Sequence, residues 1–167
     1  MTRFAPTLCL LALLPVVVPA VLPARAQPGR VLRYVSQRAD KAYLREGPSY
    51  AHPVLWVYRH KGYPYAVLAE FDVWRRVRAA DGAVGWMSAS MLSDQRTVLV
   101  TGNGRAKILA GADSGKVVGL ADPGAVAVLQ ACAPTACHIH SAEVDGWIAR
   151  DRIWGVGANE VFDRLAR

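Results

Sequence analysis

From residue 33 onward the apolar residues fall in short alternating runs rather than at helical spacing. Residues 54–58, 65–71, 74–79 and 84–87 are four such runs, rich in β-branched and aromatic side chains and separated by Gly, Pro or Asp. Alternation over so few residues marks half-buried strands, and no run is long enough for an ordinary helix. Asp81-Gly82 separates the last two, and glycine accepts the positive φ of a tight turn, so 74–87 is predicted to be a β-hairpin. A second series extends from Arg105 to Ile153, with Asp113-Ser114-Gly115, Asp122-Pro123-Gly124 and Asp145-Gly146 as turns. Between the two, 96–101 reads as a strand and Thr101-Gly102-Asn103-Gly104 as a break. At the end, Asn159 is an N-cap candidate, and Val161, Phe162 and Leu165 have helical spacing, which predicts a short C-terminal helix. So short a helix does not stand alone in water, so the tail must dock or fray.

The two series share an order of motifs. Leu44-Arg45, Trp74-Arg75-Arg76-Val77 and Gly85-Trp86-Met87 in the first are followed by Ile108-Leu109, Cys137-His138-Ile139-His140 and Gly146-Trp147-Ile148 in the second. Two copies of one small β-unit account for that order. The expected layout is a leader at 1–26, a first unit at 30–95, a degenerate second unit at 96–156 and a tail at 157–167. Units of this size have marginal cores, so each is expected to lean on the other or on a covalent link.

The leader carries Arg3, an apolar stretch from Leu8 to Leu22, and Ala24-Arg25-Ala26 as a small-x-small cleavage signal. About 15 apolar residues broken by prolines fall short of the roughly 20 needed to span hydrocarbon. The expectation is export, cleavage after Ala26, a periplasmic or otherwise exported chain, and no stable membrane insertion afterwards. The full sequence has net charge +7; without Arg3 and Arg25 it is about +5, a surface that attracts carboxylates, phosphates or anionic envelope polymers. Nucleic acid is not expected as a partner of an exported protein.

Leu44-Arg45-Glu46-Gly47-Pro48-Ser49, Trp74-Arg75-Arg76-Val77 and Gly85-Trp86-Met87 resemble the signature of bacterial SH3-like domains. The resemblance covers roughly 33–155 and weakens in the second unit, where the Leu-Arg-x-Gly-Pro stretch has become Ile108-Leu109-Ala110-Gly111-Ala112. It implies an all-β chain of two tandem small barrels and a non-catalytic role in the cell envelope, binding peptidoglycan or a peptide. An alternative is a structural subunit that recognises an envelope protein.

Alternation within the run at 74–78 places Trp74, Arg76 and Arg78 on one strand face and Val77 on the other. Val77 suits the core, so the indole and two guanidinium groups are expected to face outwards, fit for a ligand with an apolar body and carboxylates. Tyr50 and Tyr58 are candidates to widen that groove. A second reading makes Trp74 a cover for the barrel end and the arginines a solvated face. Trp86 and Trp147 are expected to pack beneath the loop around Gly47-Pro48 and its counterpart, as structural residues. Cys132 and Cys137, flanking a Pro-containing turn, are expected to pair as a disulfide in an oxidising compartment. A metal site from those cysteines with His138 and His140 is not expected, because an extended strand turns the two histidines away from Cys137. No cofactor is implied. Glu70, Asp72, Glu143 and Asp145 lie in or near turns without the spacing of a catalytic set, so enzymatic activity is not expected.

Secretion from a bacterial host should yield a chain beginning at Gln27, read by mass spectrometry of the purified protein. Recovery of intact Met1 in the membrane fraction would identify an anchor instead.

Overall fold

The computed structural model describes residues 30–163, so the leader and Leu165 lie outside the described residues. The chain is all-β, in two antiparallel sheets. The first contains β1 (Arg33–Gln37), β2 (Ala42–Arg45), β3 (Val54–Tyr58), β4 (Pro64–Phe71), β5 (Trp74–Arg78), β6 (Val84–Ser88) and β7 (Leu92–Ser93), in the order β3-β2-β6-β5-β4-β1-β7. The second contains β8 (Thr97–Val100), β9 (Ala106–Leu109), β10 (Val117–Ala121), β11 (Val126–Cys132), β12 (Ala136–His140), β13 (Asp145–Ala149) and β14 (Ile153–Trp154). Its order, β10-β9-β13-β12-β11-β8-β14, is that of the first sheet with every strand replaced by the one seven later. A 3-10 turn precedes the last strand of each, at Ala89–Met91 and Arg150–Arg152.

Each sheet encloses its own core. Val35, Leu44, Tyr65, Val67, Val77 and Met87 fill the first, and Val98, Ile108, Leu129, Ile139 and Ile148 the second. In β2, β5 and β9 the core residues alternate with outward-facing neighbours, whereas Pro64–Val67 at the start of β4 are buried without a break. The predicted hairpin is present: β5 pairs with β6 and Gly82 takes φ +89° in the turn.

Glycine is required where β6 crosses β2. A Cβ on Gly85 would lie 2.7 Å from both the Arg45 carbonyl oxygen and Leu44 Cγ; one on Gly146 would lie 2.7 Å from the Leu109 carbonyl oxygen and Ile108 Cγ2. The Gly-Trp dipeptides therefore exist for the glycine's close approach, which puts each following Trp beside the crossing.

Both long strands also bulge at matching places, between Val67 and Ala69 in β4 and between Leu129 and Ala131 in β11. An extra residue transfers later side chains to the other face. Tyr65 and Val67 are fully buried while Phe71, beyond the bulge on the same strand, is 60% exposed.

At the end of each β4-type hairpin stands a cross-strand link. Glu70 lies opposite Arg75 with Nε to Oε1 at 3.5 Å; in the second sheet Cys132 lies opposite Cys137 and the two form the expected disulfide. Closing so short a loop contributes about 2 kcal/mol by the chain-entropy estimate.

The tail corrects the sequence expectation. Over its described residues it forms no helix: Phe162–Asp163 is β15, pairing with Ala131 and Cys132 of β11. β8 pairs with β11 only at Val126, Ala127 and Val128, so the end of β11 has a free side, and the tail pairs there rather than forming a helix too short to stand alone.

The tail also ties the two sheets together around Arg96. Its guanidinium lies 5.5 Å from the Tyr34 ring of β1 and 5.3 Å from the Phe162 ring, pairs with Glu160 at 2.5 Å and donates to the Gly155 carbonyl at 3.0 Å. Trp154 meets Tyr34 edge-on at 5.7 Å, and the Thr97 hydroxyl donates to the Gly62 carbonyl at 2.6 Å.

Burial raises the Glu160 pKa, but hydrogen bonds from Arg96 and the Gly157 N–H, with the charges of Arg96 and Arg150, outweigh it and hold the carboxyl below its ordinary 4.5. The linked stability is present above the unfolded value and lost as pH falls through the folded one. Thermal melts should therefore show Glu160→Gln less stable than wild type at neutral pH, with the gap closing below pH 4.5. A gap independent of pH would contradict the Arg96–Glu160 clamp.

Candidate ligand-binding face

The outer face of the first sheet carries a continuous aromatic and basic surface. In β2, Leu44 faces the core, so Tyr43 and Arg45 turn outwards; in β6, Gly85 and Met87 are buried and Trp86 turns outwards, half-buried. Register then makes a row across three strands, Arg45 opposite Trp86 and Trp86 opposite Arg76. Arg76 is exposed. Further along β5, Arg78 is half-buried between Ala66 and Val84.

Arg45 organises the neighbouring loop. Its Nη1 donates to the carbonyls of Tyr50, at 3.2 Å, and His52, at 2.8 Å, fastening the connection from β2 to β3. The guanidinium lies 5.5 Å from the Tyr50 ring and 5.9 Å from the Tyr43 ring, while Lys41 Nζ lies 5.2 Å from the Tyr43 ring. Such cation–aromatic contacts contribute about 0.5–1 kcal/mol each at exposed sites, enough to favour one loop conformation.

Held this way, Tyr50 lies against Trp74 with centroids 4.9 Å apart and planes at 67°. Trp74 is on the outer face as alternation predicts, but it is not the exposed indole expected: it is 5% exposed and Tyr50 is 68% exposed. The tyrosine has taken the solvent position and the tryptophan forms the floor beneath it. Tyr43, Arg45, Tyr50, Trp74, Ser88 and Met91 line a shallow pocket there.

Tyr58 stands apart from this surface. It packs against Tyr63 and Tyr65, and its hydroxyl donates to the Asp81 carboxylate at 3.0 Å. Burial, then the hydrogen bond to Asp81, hold that hydroxyl well above the ordinary tyrosine value. Trp86 and Trp147 both lie half-buried on outer faces. Arg45 and Tyr43 were not singled out from sequence, although the Ala42-Tyr43-Leu44-Arg45 alternation carries the signal.

The second sheet retains the frame of this face and little of its chemistry. The matching row is Leu109, Trp147 and His138. Ala136, opposite Ala149, stands where Trp74 stands opposite Ser88. His138 stacks on Trp147 at 5.4 Å, and Asp145 receives both His138 Nε2 at 2.7 Å and His140 Nδ1 at 3.3 Å.

Residues 38–94 match the bacterial SH3 domain family. This stretch of the chain is a bacterial SH3-like domain. The pocket and the Arg45–Trp86–Arg76 row lie wholly within that SH3 domain. A search of curated proteins found no sequence match. Among solved structures, NlpC2 from Trichomonas vaginalis aligns with 75% of this chain and 49% of its own, at 10% identity and a TM-score of 0.34. NlpC1 from the same organism aligns with 83% of this chain and 51% of its own, at 14% identity and a TM-score of 0.35. The chain thus spans about half the length of each.

Replacing Arg45 by Ala should free the loop, uncover Trp74 and shift tryptophan emission to the red, with little change in far-UV circular dichroism. Arg45→Lys should give most of the same shift, because a single ammonium lacks the planar guanidinium that bonds two carbonyls while stacking on rings. Unshifted emission in both variants would show that Arg45 does not seat Tyr50.

Proposed function

We propose that the mature protein is an exported, non-catalytic binding module that holds a cell-envelope ligand, peptidoglycan or a peptide, on the outer face of its SH3 domain. The second sheet, in this reading, is a decayed SH3-like copy that keeps the barrel and has lost the groove. The observation that carries the proposal is the pocket floored by Trp74 and rimmed by Tyr43, Arg45 and Tyr50, continued by Trp86 and Arg76. Flat apolar surface beside guanidinium groups suits a ligand that offers an apolar body and carboxylates. Tyr50 and Arg76 are the contact residues, Trp74 supports Tyr50 from below, and Arg78 extends the basic edge. No helix among the described residues is long and apolar enough to cross a membrane.

One feature favours the alternative of an envelope protein partner. β3 is an edge strand whose Val54, Leu55, Trp56 and Val57 are all exposed, Trp56 at 62%, and such a run is a site for association with another protein.

Titration with soluble peptidoglycan fragments and with proline-rich peptides, followed by tryptophan fluorescence and calorimetry, tests the proposal. Tyr50→Ala and Arg76→Ala should each weaken binding by about five- to ten-fold, the loss of roughly 1–1.4 kcal/mol. Absence of binding to every ligand, together with an envelope protein captured by wild type and not by Trp56→Lys, would transfer the function to β3.

A further inference from the structure

The junction between the two sheets holds a cleft of about 260 Å³ that is separate from the outer-face pocket. Ser36, Gln37, Arg38, Lys61 and Gly62 line it from the first sheet, Ser93, Gln95 and Thr97 from the connection and its flanks, and 126–128 with His140 and Ser141 from the second. The cleft exists only because both sheets are present and fastened by the Thr97–Gly62 hydrogen bond and the Arg96 clamp.

Its chemistry is one-sided. Arg38 and Lys61 bring two permanent cations to the wall, and no carboxylate lines the cleft. Neither cation forms an ion pair with a carboxylate among the described residues; Asp94, which lines a neighbouring pocket together with Arg38, pairs with Arg33 at 3.9 Å, and Asp145 receives His138 and His140. The remaining wall combines hydroxyl and amide side chains with the apolar Val126 and Val128. Two unpaired cations set among hydroxyl and amide groups suit a small anion carried on a polar, hydrogen-bonding body.

We propose that this junction cleft is a second ligand site, which takes the carboxylate of a small, hydroxyl- or amide-rich molecule between Arg38 and Lys61. It rests on the envelope-binding reading only for the source of the ligand: a sugar acid and a peptide C-terminus present the same group. The site also gives the second sheet a role in recognition that its own depleted outer face lacks.

The test is NMR titration of the mature chain with four probes: N-acetylmuramic acid, N-acetylglucosamine as its counterpart without the carboxylate, N-acetyl-D-alanyl-D-alanine, and the amide of that dipeptide. Shifts at the amides of Gln95, Thr97 and 126–128 with one or both acids, and not with the neutral counterparts, are expected, and the acid that binds identifies the source. The Arg38→Gln/Lys61→Gln double variant should weaken that binding about ten-fold or more, while Tyr50→Ala leaves it unchanged. Both changes are at exposed side chains, and an unchanged thermal melt verifies folding. Equal response to the neutral probes, no response to either acid, or undiminished binding by the double variant overturns the proposal. Because Tyr50→Ala reads the outer face and the double variant reads the junction, failure of one site is distinguishable from failure of the other.

Discussion

Each sheet depends on one close crossing. In the first, β2 joins β6 through a single register pair, Arg45 with Trp86, and that approach is possible because residue 85 has no side chain. In the second, Leu109 with Trp147 is the matching pair, and Gly146 the matching absence. A Cβ at either place would meet a carbonyl oxygen and a core side chain at 2.7 Å, and such overpacking costs about 1–3 kcal/mol. Without the crossing, the β3-β2 ribbon would lose its seat on the rest of the sheet. The candidate binding face has the same origin, since it is this pair that aligns Arg45, Trp86 and Arg76 across three strands.

The matched registers show what the two sheets share. The glycine crossing, the following Trp, the bulge in the long strand and the cross-strand link at the hairpin end all recur, the last as a disulfide in place of an ion pair. These are features that hold a small sheet closed. The outer faces differ: Leu109 and Ala136 occupy the places of Arg45 and Trp74. Closure and recognition therefore separate residue by residue, and the surfaces of the second sheet with a clear partner are those turned towards the first sheet and the tail.

Strand positions and the hairpin at Asp81-Gly82 were legible because alternation and turn chemistry act over a few neighbouring residues. Alternation also placed Trp74 on the outer face correctly. It failed for Phe71, because a bulge adds a residue to one strand without altering composition. It failed for the exposure of Trp74, because the covering ring comes from a loop whose position depends on Arg45 reaching two carbonyls. The tail misled for a third reason: helical spacing at 159–167 describes a local tendency, whereas the edge of β11 offered a pairing partner that no local pattern reveals.

The sequence by itself determined the all-β class, the strands between 54 and 88 with the turn between the last two, the SH3 signature of the first unit and the pairing of Cys132 with Cys137. Those are consequences of short-range geometry and of groups close along the chain. Tertiary structure alone decided that Tyr50 covers Trp74, that Arg96 joins β1 to the tail, and that Arg38, Lys61 and 126–128 line one cleft. Each requires residues far apart in sequence to arrive at one place, and that arrival is fixed by how β2 crosses β6 and how the second sheet docks on the first.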